Sequence, residues 1–216
     1  MLGPPGSGKG THARKLHAKY GFTVVGTGEI LRNEIKKGTK SGKEIEDLMK
    51  TGKLFPDELM GKIVSKKIES TRNGKGFVFD GYPRTTSQAD FLDQFLSKKK
   101  MEINIVFDIL VPEKVAVDRI SGRWNCPKCG FIYHVKYIPP KTLGICDKCG
   151  AGLTQRADEK PDIVKKRFKE YHKLTEPLRD YYKENDVLWE VDGTGTPEEV
   201  FNEIIRIIDS MQKEKQ

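Results

Sequence analysis

The sequence has no apolar run long enough to span a bilayer, and its start lacks the charged, apolar and small-residue order of a cleavable signal. The expected compartment is therefore the cytoplasm, with no membrane partner. It has no internal repeat and no low-complexity tract, so a solenoid or a disordered array is not expected. Cysteine is scarce. There are four in 216 residues, all within a 24-residue window, which is not the scattered pattern of a small disulfide-stapled domain. Arginine is scarce beside lysine, at ten of the 39 basic residues.

What is present is a charged globular composition, with 36% hydrophobic and 32% charged residues. The length suits one main domain with insertions, or two small domains. The formal net charge is +8. A solvated lysine surface explains part of it, and charge alone leaves a nucleic-acid binder open. The arginines are more informative. Several stand beside glycine-rich or loop segments, and a planar guanidinium suits phosphate recognition.

Short apolar runs alternate with helical periodicity. Strands are expected at Thr23–Val25, Gly76–Asp80, Ile103–Leu110 and Val187–Val191. A helix behind Pro56-Asp57 carries Leu59, Met60, Ile63, Val64 and Ile68. Thr86 or Ser87 is the expected cap of a helix with Ala89, Phe91, Leu92, Phe95 and Leu96. Pro197 opens a last helix with Val200, Phe201, Ile204, Ile205 and Ile208 on one side. This alternation points to a parallel sheet wrapped by helices. Residues 27–56 and 123–158 break it and read as insertions.

Gly3-Pro4-Pro5-Gly6-Ser7-Gly8-Lys9-Gly10-Thr11 has the spacing of a phosphate loop, with Gly10 where a Walker motif has Ser or Thr. Glycines allow successive N–H groups to point at one anion, and a helix starting near Gly8 adds the positive end of its dipole. Lys9 brings a full charge to a transferred phosphate. Such a loop should follow a buried strand, yet only Met1 and Leu2 precede it, so several residues are expected to be missing before Met1, the alternative being loss of most of the central first strand.

Cys126-x-x-Cys129 and Cys146-x-x-Cys149, sixteen residues apart, can present four thiolates tetrahedrally to Zn²⁺. A metal so ligated has no open position and would be structural. A redox thiol pair and a nucleic-acid zinc ribbon are the competing readings. The loop between the pairs, with Tyr133, Tyr137 and Pro139-Pro140, has only a modest lysine excess.

Over nearly its whole length the sequence resembles adenylate kinases of the long bacterial type with a zinc lid. The resemblance rests on the glycine loop, Asp80-Gly81-Tyr82-Pro83-Arg84-Thr85, Thr27-Gly28-Glu29 with Arg32, Asp118-Arg119, Arg123, Gln155-Arg156, Arg167 and Asp192-Gly193-Thr194. It implies an α/β fold: a P-loop three-layer core with a central parallel sheet, from residues 1–26, 57–122 and 159–216. An AMP-binding flap at 27–56 and a zinc-binding lid at 123–158 complete it. The implied reaction is phosphoryl transfer from Mg·ATP to AMP, giving two ADP, in a monomer that binds no nucleic acid.

By the same resemblance, Gly6, Ser7, Gly8, Lys9, Gly10, Thr11, Arg119, Arg123, Ile132, Tyr133 and Gly195 contact ATP. Thr27, Arg32, Lys53, Leu54, Phe55, Gly81, Tyr82, Pro83, Arg84, Gln88, Arg156 and Arg167 contact AMP. Lys9, Arg84, Arg123, Arg156 and Arg167 serve the transfer, Asp80 holds hydrated Mg²⁺, and Cys126, Cys129, Cys146 and Cys149 hold zinc. Arg119 is expected to lie flat on the adenine of ATP. Glu29, Gly195 and Ala157 depart from the residues commoner in that family.

Overall fold

In the computed structural model, which describes residues 1–71 and 75–214, helices cover both faces of a parallel strand system. The chain enters through the glycine loop into α1 (Lys9–Tyr20), which Gly21 ends. Next come β1 (Thr23–Gly26), α2 (Thr27–Lys36), α3 (Lys40–Thr51), α4 (Asp57–Ser70), β2 (Phe77–Asp80), α5 (Thr86–Ser97) and β3 (Val106–Leu110). After α6 (Glu113–Ser121), two short strands, β4 (Arg123–Asn125) and β5 (Ile132–His134), pair antiparallel. The chain ends through α7 (Pro161–Glu170), α8 (Leu178–Glu184), β6 (Leu188–Asp192) and α9 (Pro197–Glu214).

β1 pairs parallel to β2, from Thr23↔Phe77 to Gly26↔Asp80, and β3 pairs parallel to β6, from Val106↔Leu188 to Leu110↔Asp192. The first residues run between the two pairs. The Met1 amine donates to Phe79 O (3.0 Å), Leu2 N–H to Phe107 O (2.7 Å), and Ile109 N–H to Leu2 O (3.1 Å). Leu2 forms an isolated parallel bridge to Asp108 of β3. Beyond it lies an apolar cavity of about 910 Å³, lined by Phe77–Phe79, Ile103–Phe107 and Tyr182 among others.

Alternation along the strands builds three cores. Val78, Phe107, Ile109 and Val191 face α1 and α9, against Ala13, Leu16, Val200 and Ile204. Val25 and Phe79 face α4 and α5, against Met60, Val64, Ile68, Leu92 and Leu96. Leu2 and Val106 meet Ala89, Leu178 and Tyr182. With roughly 1.5–3 kcal/mol per fully buried aliphatic side chain, these faces hold the strand ends in register.

Three expectations are corrected. The third strand starts at Val106 instead of Ile103, because Ile103 and Ile105 border the cavity, away from the β6 ladder. The cap of α5 is Thr85, whose Oγ1 accepts from Gln88 N–H (3.1 Å). Leu59 and Phe91, whose spacing suits a core face, are 38% and 43% exposed. Residues 27–56 hold the two helices α2 and α3, with Gly38 between them and Gly52 capping the second.

Candidate active site

β1 and β2 end side by side at Gly26 and Asp80, and β3 and β6 at Leu110 and Asp192. The carboxyl edge of a parallel sheet is where loops can gather around a ligand. The glycine loop lies there, with Gly8 in the left-handed region (φ 99°) capping α1. A Cβ at position 10 would stand 2.8 Å from Asp80 Oδ2. The glycine that breaks the Walker pattern therefore admits the Asp80 carboxylate to the loop. A hard oxygen donor beside a phosphate cradle fits hydrated Mg²⁺.

Lys9 Nζ donates to Gly3 O (2.7 Å), Pro4 O (2.8 Å) and Ser7 Oγ (3.3 Å). Burial pushes its pKa down to about 7. Arg84 and Arg167 add to that, and Asp80 opposes it. Ser7 itself is buried under the loop. His12 is buried behind Gly8, and burial holds its imidazole down to about 4, so the ring is neutral at pH 7.

One cleft of about 190 Å³ is lined by Gly6, Gly8, Lys9, Gly10, Thr11, Arg32, Asp80, Pro83, Arg84, Arg123, Ile132, Arg156 and Arg167. Five of these are arginines from separate segments. Burial lowers the pKa of Arg84 and Arg156 to about 10 each, and neighbouring arginines press the same way. Arg32 and Arg167 are lowered too, chiefly by burial. The cations remain charged at neutral pH but repel one another, so the cleft favours a polyanion.

A second pocket of about 90 Å³ adjoins it, lined by Thr27, Arg32, Lys53, Leu54, Phe55, Gly81, Arg84, Gln88 and Arg167, with Leu31, Met49 and Met60. Gly81 (φ 76°) lets the chain turn so that its carbonyl accepts from Thr27 Oγ1 (2.9 Å) and Arg84 Nε (2.9 Å). Gln88 Oε1 accepts from Arg84 N–H (2.8 Å), and Nε2 donates to Asp57 Oδ1 (2.7 Å). One lone pair and one N–H of that amide stay free for a ligand edge.

A family model for adenylate kinase matches residues 1–187. The chain belongs to the adenylate kinase family. An adenylate kinase of Archaeoglobus fulgidus is 43% identical over 212 residues, covering 98% of each chain. One of Anaeromyxobacter sp. is 43% identical over 210 residues, covering 97% of this chain and 98% of the relative. One of Thermococcus kodakarensis is 40% identical over 209 residues, covering 97% and 92%. As a member of the family, the chain is a nucleoside monophosphate kinase and binds nucleotides.

Arg119, Tyr82 and Tyr133 are not among the residues that line the cleft. Arg119 donates to the carbonyls of Gly193 (2.7 Å), Thr194 (3.1 Å) and Gly195 (3.2 Å), so its edge organises that loop and only its flat face is left for a base. Tyr82 is buried, its hydroxyl donating to Gln88 O (3.3 Å). Tyr133 is buried among the cysteines, its hydroxyl donating to Cys146 Sγ (3.5 Å) and accepting from Asp147 N–H (2.7 Å). These tyrosine side chains do not line the cleft.

The sulfurs of Cys126, Cys129, Cys146 and Cys149 all lie within 4.8 Å of one another. Tetrahedral zinc with bonds of about 2.3 Å needs sulfurs about 3.8 Å apart. The cluster fits the metal, and the knuckle packs Cys126, Tyr133, Cys146 and Leu153 into a small core. Its outer turn touches α2, where Lys36 Nζ donates to Pro127 O (3.2 Å).

Sequence reasoning missed the acids that seat the arginines. Glu159, 6% exposed, pairs with Arg123, whose Nε donates to its Oε1 (2.7 Å). Glu159 also approaches Arg156 Nε (3.6 Å) and accepts from Arg156 N–H (3.3 Å). Asp158 accepts from Arg167 Nη1 at 2.9 Å. The adjacent acids two and three residues after Arg156 were the available signal. Arg14, Glu170, Tyr171 and Thr175 also line the cleft without having been singled out.

Proposed function

We propose that the glycine loop and Lys9 hold the phosphates of ATP, that residues 27–56 fold over AMP, and that residues 123–158 form a lid over the transferring group. The convergence of Lys9, Asp80 and five arginines on one cleft carries this reading. The acceptor, a phosphate oxygen of AMP, is already anionic and needs no general base. It forms a bond to the γ-phosphorus as the bond to the β–γ bridging oxygen breaks, and ADP leaves from each side. The chain's part is alignment, charge cancellation and exclusion of water.

Arg32, Arg84 and Arg167 orient the AMP phosphate, with Thr27, Lys53, Leu54, Phe55, Gly81, Pro83 and Gln88 around the nucleoside. Arg123 and Arg156, seated by Glu159, offset charge on the moving group. Arg119, Ile132, Gly195 and the Tyr133 backbone bound the ATP side. Asp80 would hold hydrated Mg²⁺, which would supply charge neutralisation to the phosphates. Zn²⁺ on the four cysteines would be structural, since four thiolates leave it no open position.

We read the protein as a cytoplasmic monomer that binds neither nucleic acid nor membrane. Clustering of the arginines in the cleft supports a small polyanion over a nucleic acid. No helix among the described residues is long and apolar enough to cross a membrane. A coupled assay with ATP and each nucleoside monophosphate in turn tests the acceptor. AMP should be used at least tenfold better in kcat/KM than UMP, CMP or GMP, as expected when a site built to hydrogen-bond one base rejects others (roughly 10- to 10⁵-fold). Equal use of a pyrimidine monophosphate would contradict it.

A further inference from the structure

Between α7 and α8 the chain forms one π-turn, Tyr171–Thr175. Its bond runs from Glu176 N–H to Tyr171 O (2.9 Å), five residues back. The wider turn inserts a residue and rotates the later side chains relative to a plain α-helix. A threonine inside an α-helix commonly bonds a carbonyl of its own preceding turn. Thr175, buried at 8% exposure, instead donates from Oγ1 to Arg84 O (3.0 Å), 91 residues away in sequence. Arg84 N–H meanwhile donates to Gln88 Oε1 (2.8 Å) and its Nε to Gly81 O (2.9 Å). The backbone of Arg84 is thus held from both sides. On one side the holder is α5; on the other it is the helical segment that carries Arg167.

We propose that Thr175 is a positioning residue for the monophosphate acceptor: through the π-turn its hydroxyl fixes the spacing between Arg84 and Arg167. The inference rests on the reading that these two arginines orient the AMP phosphate. It assigns the π-turn a function, because without the inserted residue Thr175 would point elsewhere. A guanidinium pair gains from a phosphate only when both forks meet its oxygens together. Losing one neutral hydrogen bond that sets this spacing is worth roughly a 3- to 10-fold change. The change should fall on the acceptor, because Thr175 bonds Arg84, whereas Lys9 bonds the glycine loop and Arg119 bonds Gly193, Thr194 and Gly195.

The test is steady-state kinetics of Thr175→Val, Thr175→Ser and Arg84→Lys, with each nucleotide varied at saturating partner. The expected result is a KM for AMP raised roughly 3- to 10-fold in Thr175→Val, an unchanged KM for ATP, and recovery in Thr175→Ser. If Thr175→Val does not fold, Thr175→Cys keeps the shape with a weaker donor and should show a smaller rise of the same kind. An unchanged KM for AMP, or equal rises for AMP and ATP, would overturn the proposal. Arg84→Lys separates the two levels. If it raises the KM for AMP and Thr175→Val does not, only the positioning role falls. If it leaves that KM unchanged, the acceptor-site reading falls, and the Thr175 role with it.

Discussion

Lys9 sits among three oxygen acceptors, yet its pKa is drawn down to about 7, chiefly by burial. Phosphate oxygens entering the loop restore the advantage of the charged form. At pH 8 the free side chain is then largely neutral and the bound one charged, so binding takes up a proton. Affinity for a polyphosphate should fall as pH rises above about 7. Calorimetry at pH 8 in buffers of different ionisation enthalpy should show uptake approaching one proton, and little at pH 6. No uptake at pH 8 would refute the assignment. Glu159 poses a second residue-scale question, since it joins Arg123 and Arg156 through one buried carboxylate. Glu159→Gln keeps the shape but releases the charge that seats both. Small misplacements of such groups cost up to about 100-fold, so kcat should drop roughly 10- to 100-fold at saturating nucleotides. An unchanged kcat would show that the carboxylate only supports the fold.

At the scale of elements, the cysteine knuckle is a small unit whose own core is four residues around the sulfurs. Metal binding energy in such a unit is folding energy. Cys129→Ser should release zinc and cost about 3 kcal/mol, moving the melting midpoint by roughly 6–12 °C in a chain of this size. A variant with normal melting and metal content but no activity would contradict a purely structural metal. This element was legible from spacing alone, because four ligands at fixed separations leave few other geometries. The four parallel strands were legible to within a few residues, because buried strands read as apolar runs, whereas the short pair β4 and β5 was not expected. The cap of α5 was misplaced by one residue among Thr85, Thr86 and Ser87, since all three side chains can cap and only the backbone path decides. The π-turn was not read from the sequence, since the contact that accompanies it, Thr175 to Arg84, joins residues 91 apart.

Across the whole molecule, the sequence singled out five of the arginines that line the cleft but not what holds them. Arg32, Arg84, Arg123, Arg156 and Arg167 could be singled out by the motifs around them. Glu159 with Arg123 and Gly10 with Asp80 join segments distant in sequence, through neighbours that only the fold supplies, while Asp158 reaches Arg167 nine residues on. The arrangement described is closed. Gly52 packs against Ile163 and Lys166, and Lys36 reaches the zinc knuckle. Six arginines gathered around one cleft, only partly offset by nearby acids, favour a bound polyanion, so nucleotides and closure should stabilise each other. On this reading one phosphate chain, shared by two nucleosides, fills the cleft. The direct measurement is inhibition and titration with two adenosines joined by five phosphates. One molecule should bind per chain, competing with both ATP and AMP. Competition with only one nucleotide, or two molecules bound per chain, would contradict the claim.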